Sequence, residues 1–454
     1  MNLKKNFHEN SSRRPHSILK SYDNPDHKIN IWNTFVDSDN EGLEGIHHDD
    51  FSIIPRLIPE SYLPVIEKTC KDITTFLMKV ISLPEEEVKA IVPEGPVRDF
   101  LIDEIGVLKH RKKRMVGSFR FDMAVVGKPD ANHPPQLLEV NEIGFDGLAR
   151  SSYFQNTLLT HMPELKKHVR ALDTAAAEVR NMNRLGKHIV RLQHGCYNWD
   201  EQYLKMTSDR MGSHLHLISP TQYKQKVNKK HFPLLEELPF SFPNGKLLVG
   251  KKLKPDAMNM SFAYTLKDLK RDKELYKKMV ASKTPQYGPL VTGLIATKSV
   301  LVMLADEELR KRFLGSADKL SDSILPAFQL KGNVDKVLAH PDRYVIKHTD
   351  GFGGQQVFGD QQMLKLIKSM PEKKYHEWIV QKKTRLNVVH VNGILSHRRK
   401  AIGDLGVFVQ YDWENGKFNH FEIGGLMCRA TSKSIKVNVS AGGTQVAVML
   451  EKGV

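Results

Sequence analysis

The chain has 454 residues, 40% of them hydrophobic and 26% charged. That length supports two or three domains with sizeable cores, and the composition excludes disorder as the default state. Its 68 Lys plus Arg against 52 Asp plus Glu leave a formal charge of +16, which suits phosphorylated ligands, acidic proteins or nucleic acid as partners.

No stretch approaches the ~20 uninterrupted apolar residues that a membrane-spanning helix needs. The N-terminus carries Lys4, Lys5, Arg13 and Arg14 without an apolar run, so it does not read as a secretory signal. Cys70, Cys196 and Cys428 are odd in number and far apart. They argue against a disulfide framework or a cysteine metal site and fit a reducing compartment. A cytoplasmic protein without a membrane partner is expected.

Residues 1–50 are polar and lack a sustained period, which predicts an extended or loosely docked arm. His47-His48-Asp49-Asp50 within it reads as surface. Helical spacing begins near Pro59-Glu60, with Tyr62, Val65, Ile66, Ile73, Phe76, Leu77 and Ile81 on one face, and a second helical pattern runs from Pro96 to Leu108. The densest basic run, Lys109-His110-Arg111-Lys112-Lys113-Arg114, follows. No aromatic residues interleave with it, which favours a solvated loop over a nucleic-acid patch.

Two strand-like stretches come next, Ser118-Phe119-Arg120-Phe121-Asp122-Met123 and Leu137-Leu138-Glu139-Val140-Asn141. Alternation places Arg120 and Asp122 on one face of the first, and Glu139 and Asn141 on one face of the second. Asp130-Ala131-Asn132-His133-Pro134-Pro135 supplies turn chemistry for an antiparallel hairpin with both polar faces on one side. Two carboxylates and an amide oxygen at close range suit a hard cation such as magnesium, and an arginine suits a phosphate held by it. Asp122, Glu139 and Asn141 are the candidate metal ligands.

A long helix-like segment from Arg150 to about Arg184 ends at Gly186. His188-Ile189-Val190-Arg191-Leu192, a helical stretch from Trp199 to Met211, and His214-Leu215-His216-Leu217-Ile218 then alternate as an α/β unit with a parallel sheet. Further strands are expected at Leu247-Leu248-Val249 and Met260-Ser261-Phe262-Ala263-Tyr264.

In the last third, Arg343-Tyr344-Val345-Ile346-Lys347 leads into His348-Thr349-Asp350-Gly351-Phe352-Gly353-Gly354-Gln355 and returns through Gln356-Val357-Phe358. The glycines let backbone N–H groups turn toward an anion, which Lys347 can reach as a point charge. Neither a Rossmann fingerprint nor a Walker pattern is present. Trp378-Ile379-Val380-Gln381-Lys382 reads as a strand edge that could offer backbone groups to a purine. Arg429 and the small-residue stretch Lys436-Val437-Asn438-Val439-Ser440-Ala441-Gly442-Gly443 add a cation and a second loop.

The order Arg120-x-Asp122, Glu139-x-Asn141, Thr297-Lys298, Lys347 with its glycines, Gln381, Arg429 and a Gly-rich tail resembles the circularly permuted ATP-grasp ligases. Glu139-x-Asn141 precedes the glycine loop by roughly two hundred residues, as in eukaryotic-type glutathione synthetase and the synthetase domain of glutathionylspermidine synthase. Leu138-Glu139-Val140-Asn141, Gly147-Leu148-Ala149-Arg150-Ser151 and Asp404-Leu405-Gly406-Val407-Phe408 are similar to the glutathione synthetase branch. Asp350-Gly351-Phe352-Gly353-Gly354 is similar to other permuted ATP-grasp proteins, and no arginine stands beside Phe262-Ala263-Tyr264.

The resemblance implies an α/β circularly permuted ATP-grasp fold with α+β elements. Its parts would be the arm at 1–50, an ATP-grasp part with the metal hairpin at 51–186, an inserted parallel α/β substrate-binding domain at 187–297, and a nucleotide-binding lobe with a glycine-loop lid at 298–454. It implies ATP and Mg²⁺ as cofactors and formation of an amide from a carboxylate and an amine through an acyl phosphate. Lys298, Lys347, Asp350, Gly351, Gly353, Gly354, Val380, Gln381, Lys382, Asn438, Gly442 and Gly443 would bind the nucleotide. Arg120 and Arg429 would be catalytic, and Arg120, Ser151 and Ser152 would meet the substrate. Small carboxylates and amines, an acidic carrier protein and a homodimer are the partners considered. A second reading, a basic module for nucleic acid or acidic protein without ligase activity, rests on the net charge and the Lys109–Arg114 run.

Overall fold

The computed structural model describes residues 15–40, 50–142, 147–192, 199–218, 240–259, 266–350, 356–395, 397, 399–432 and 443–453. The polar N-terminal stretch departs from the expected arm, because Pro25–Asn40 forms a helix, α1. Ile31 and Phe35, one turn apart, are buried, and the Phe35 ring lies 5.4 Å from Phe51 and 5.9 Å from Phe154. So few apolar positions in a polar helix give a period too weak to read without the surface they dock on.

After strand β1 (Arg56–Pro59), the helical spacing produces α2 (Leu63–Ile81), with a proline in its first turn and Ile66, Ile73, Phe76, Leu77 and Ile81 wholly buried. The pattern from Pro96 resolves into a short helix, Pro96–Asp99, and a π-helical stretch, Phe100–Ile105, that stops where Gly106 adopts a left-handed φ of 75°. The basic run is not a solvated loop throughout. Arg111 donates to the carbonyls of Ile81 and Leu83 at the end of α2, Lys112 donates to Ser282 O, and Arg114 donates to both carboxylate oxygens of Asp412.

The hairpin forms as expected. In β2 (Arg114–Ala124) and β3 (Gln136–Asn141), Arg120 pairs with Asn141 and Asp122 with Glu139, with a bulge after Asp122. Phe119, Phe121 and Met123 fill the opposite face and are fully buried. The long helix predicted from Arg150 to Arg184 is two helices, α3 (Leu148–His161) and α4 (Thr174–Met182). Pro163 follows the first, and Asp173 begins the second by accepting from Ala176 N at 3.1 Å.

Next come β4 (His188–Leu192), α5 (Trp199–Arg210), β5 (His214–Ile218), β6 (Ala257–Asn259) and β7 (Gln286–Tyr287). The strand expected at Met260–Tyr264 lies outside the described residues. Leu248–Val249 pairs with Phe240–Ser241, in a two-stranded sheet apart from the main one. The last third supplies β8 (Ala327–Gln329), β9 (Tyr344–His348), β10 (Val357–Gly359), β11 (Trp378–Lys382), β12 (Asn387–Val391), β13 (Arg399–Gly403), β14 (Leu405–Glu414), β15 (Lys417–Thr431) and β16 (Thr444–Glu451).

The large sheet runs β1-β16-β15-β14-β2-β7-β6-β4-β5, and β3 adds to the outer edge of β2. From β2 through β7, β6, β4 and β5 the neighbours are parallel, whereas β14, β15 and β16 pair antiparallel. β2 is therefore the seam. One edge is paired by β14 along its length, while the other is paired by β7 at Val116 and by β3 from Arg120 onward. Crevices at such changes of strand order are where α/β sheets bind ligands. Gly425 on β15 permits the close approach of α4, since a Cβ there would meet Thr174 Oγ1 at 1.6 Å. β8-β11-β9-β10 forms a second, four-stranded sheet with its own core around Ile346, Met363, Trp378 and Val380.

Candidate active site

The alternation of β2 and the register with β3 place two acids, an amide and a guanidinium on one face. Arg120 is 8% exposed and Asp122 is 2% exposed. Arg120 Nε donates to Asp122 Oδ1 at 2.8 Å, and Asn141 Nδ2 donates to Asp122 Oδ2 at 3.0 Å. Arg429, near the end of β15, reaches the same Oδ2 at 2.8 Å. Burial opposes the charge on Asp122, but the two guanidiniums outweigh it and hold the carboxyl down at about 2. Asp404, buried at the start of β14, accepts from Arg429 as well. Burial outweighs the neighbouring Arg429 there and lifts its carboxyl above the ordinary value.

Glu139, on the same face, pairs with Lys298 Nζ at 2.9 Å. Burial works against its ionisation, and Lys298 and Lys347 overcome it, so its carboxyl lies below the usual value. Lys298 is buried, and its N–H donates to Thr349 O at 2.9 Å. Lys347 sits on β9 opposite Val357 of β10, in the expected glycine hairpin, and donates to Leu138 O at 2.8 Å. Burial pushes its ammonium down to about 8, against the pull of Glu139. The small sheet thus reaches the outer edge of β3 through side chains: Lys347 to Leu138 O, Gln381 to Leu137 O at 3.1 Å, and Thr384 to Gln136 at 2.6 Å.

The fold corrects three expectations. β11 is not an edge strand: it pairs with β8 on one side and β9 on the other, so the backbone groups of Val380 and Gln381 serve the sheet, and Lys382 N donates to Pro326 O. Ser151 and Ser152 do not face the cleft. Their hydroxyls are buried, the first donating to Leu426 O at 2.7 Å and the second accepting from Ala175 N at 2.8 Å, because α3 packs on β15 and α4. Asp350 turns its carboxylate to Val97 N at 3.3 Å, where the short Pro96 helix begins. Gly351, Gly353, Gly354, Asn438 and Gly442 lie outside the described residues, and Gly443 stands just ahead of β16.

Sequence reasoning assigned no role to Asp404 and passed over a second polar network on the Ser118 side of β2. Ser118 Oγ donates to Glu178 Oε1 at 3.0 Å, Gln410 Nε2 donates to Glu178 Oε2 at 3.2 Å, and Asn181 Nδ2 donates to Gly117 O at 2.8 Å. Arg191 on β4 pairs with Glu201 on α5 nearby. A polar residue inside an apolar run, such as Gln410 in Leu405–Tyr411, was the available signal.

The candidate metal ligands can be tested against these contacts. Asp122 and Glu139 contribute carboxylates, and Asn141 uses Nδ2 internally while its Oδ1 has no hydrogen-bond partner among the described residues. An all-oxygen set of this kind fits magnesium. Each carboxylate is matched by a cation that metal binding would displace.

A family model described as the eukaryotic glutathione synthase ATP-binding domain matches residues 104–449. The apo structure of a glutathione synthetase like-effector from Globodera pallida superposes with a TM-score of 0.66, covering 88% of this chain and 90% of that one at 14% identity. The ATP-grasp ligase PsnB complexed with minimal precursor covers 52% of this chain and 91% of its own at 12% identity, but its TM-score of 0.31 is too low to inform the fold. No curated protein matches by sequence. At 14% identity the first likeness speaks for shared architecture, while the family match spans most of the sequence. The chain therefore belongs to the eukaryotic glutathione synthase ATP-binding-domain family, with its mixed α/β ATP-grasp fold and the acidic hairpin ahead of the glycine hairpin.

Proposed function

We propose that the protein is an ATP-dependent carboxylate–amine ligase that joins its substrates through an acyl phosphate. The supporting observation is the convergence on the β2–β3 hairpin of Lys298 and Lys347 with Glu139, Asp122, Arg120 and Arg429. Phosphoryl transfer needs positioning and charge neutralisation more than a protein nucleophile, and these side chains supply both.

Lys298 and Lys347 hold the nucleotide phosphates, exchanging Glu139 and the Leu138 carbonyl for phosphate oxygens. Asp122, Glu139 and Asn141 would hold magnesium, which would supply charge neutralisation for phosphoryl transfer. Arg120 and Arg429 stabilise charge on the transferring group, and the substrate carboxylate and amine enter from the crevice between β2 and the parallel strands. Of the two supports for the basic-module reading, the basic run is weakened, because Arg111, Lys112 and Arg114 are tied to carbonyls and to Asp412, while the net charge remains.

Phosphate release should be measured with MgATP across amino acids, dipeptides and carrier-bound acids, each with and without an amine. Release that depends on both substrates and falls on the order of a hundredfold in Glu139→Ala is expected. Equal release by wild type and variant would remove the proposed metal site.

A further inference from the structure

Arg429 lies between two acids that grip it differently. Asp404 accepts its backbone N–H at 2.9 Å, its Nε–H at 3.0 Å and an Nη2–H. The grip is reciprocal, since Asp404 N donates to Arg429 O at 3.1 Å, and Arg56 Nη1 fixes the Asp404 carbonyl at 2.9 Å. Asp404 is wholly buried. Asp122 offers only Oδ2, an oxygen already shared with Arg120 Nη2 and Asn141 Nδ2. The Nη1 corner of Arg429 has no hydrogen-bond partner among the described residues, and its side chain is 13% exposed.

We propose that Asp404 is the positioning residue of this site: it clamps the Nε–Nη2 edge of Arg429 so that the Nη1 corner stays directed away from Asp404, while Asp122 is the partner Arg429 releases to an incoming anion. A guanidinium is a planar fork, so anchoring Nε and the backbone N–H to one carboxylate fixes the direction of the remaining donors. Without Asp404 the guanidinium would collapse onto Asp122, its other ion-pair partner. The clamp itself does not depend on the ligase reading. That reading supplies only the identity of the anion, the transferring phosphoryl group.

The test uses the full chain with ¹⁵N-labelled arginine. In the wild type, Arg429 Nε–H should exchange slowly with solvent and stay slow when MgADP and fluoroaluminate, a phosphoryl mimic, are added, while the Nη signals shift. Rapid exchange in the wild type would overturn the clamp without any variant. Asp404→Asn should lose the slow signal, Asp404→Glu should recover it, and Asp122→Asn should keep it; the reverse assignment would overturn the proposal. Asp404→Asn should also weaken fluoroaluminate binding by about tenfold while MgADP affinity stays nearly constant. Correspondingly, kcat should fall with little change in KM for ATP. Parallel loss of both affinities would reduce Asp404 to a structural role. A wild type that binds no nucleotide would sink the ligase reading, and the exchange data would then judge the clamp alone.

Discussion

Ser118 and Arg120 stand on the same face of β2, about 7 Å apart along the strand, yet they open two different polar regions. Around Ser118, hydrogen-bond donors from β2 and β14 converge on Glu178, which is 1% exposed. Around Arg120 the partners are full charges, and Glu139 keeps 24% of its side chain accessible. The partners described in the first region, Ser118 and Gln410, are neutral donors. The second is a set of ion pairs in which a metal could displace a lysine and a phosphate could displace a carboxylate. Burial of polar groups does not by itself mark a site; exchangeable partners beside a cleft do.

The harshest way to break that contrast is to remove the shared acid. Asp122→Ala leaves Arg120 and Arg429 facing each other without their common counter-ion, and should cost about 3–5 kcal/mol in urea denaturation. A loss under about 1 kcal/mol would mean that the charged region is hydrated.

Acid and alkali should separate the regions by sign. The Asp122 carboxyl is lowered from 3.8 to about 2 in the fold, so its contribution is present above pH ~4 and disappears as pH falls toward 2, a limb of about 2–3 kcal/mol. Burial raises the Glu178 carboxyl above the ordinary carboxylate value, so its contribution is present below that ordinary value and is lost as pH rises through the raised, folded-state one. Asp122→Asn should flatten the acid limb alone, and Glu178→Gln the opposite one. Stability curves in which either variant changed the other limb would show that the regions are coupled.

Ser118→Ala removes a donor from the sealed region and should cost about 1–3 kcal/mol while leaving MgATP affinity unchanged. A matching fall in affinity by calorimetry would join Ser118 to the site. The smallest contrast lies in the basic run. Arg111→Ala, which strips two carbonyl bonds from the end of α2, should cost about 1–2 kcal/mol. Exposed Lys113→Ala should stay within about 0.5 kcal/mol in the same thermal melts.

Much of the site was legible because a strand's period of two residues is rigid. Arg120, Asp122, Glu139 and Asn141 could be assigned to one face from spacing, and the turn chemistry brought the strands together. The glycine hairpin followed from Lys347 and its neighbours in the same way. Local sequence also set α2, and its apolar spacing chose the buried face.

What lay beyond the sequence depended on partners distant along the chain. Val380-Gln381-Lys382 has the same composition whether its strand is central or at an edge, and only the arrival of β8 and β9 on both flanks decided it. Ser151 and Ser152 are ordinary helix residues until Leu426 and Ala175 take their hydroxyls. Residues 15–40 hold too few apolar positions to announce α1 until Phe51 and Phe154 provide a surface. Periodicity acts within a segment and was fixed by the chain itself. Pairing across hundreds of residues, such as Asp122 with Arg429, is settled by packing, where an unmatched buried group costs more than any local preference supplies.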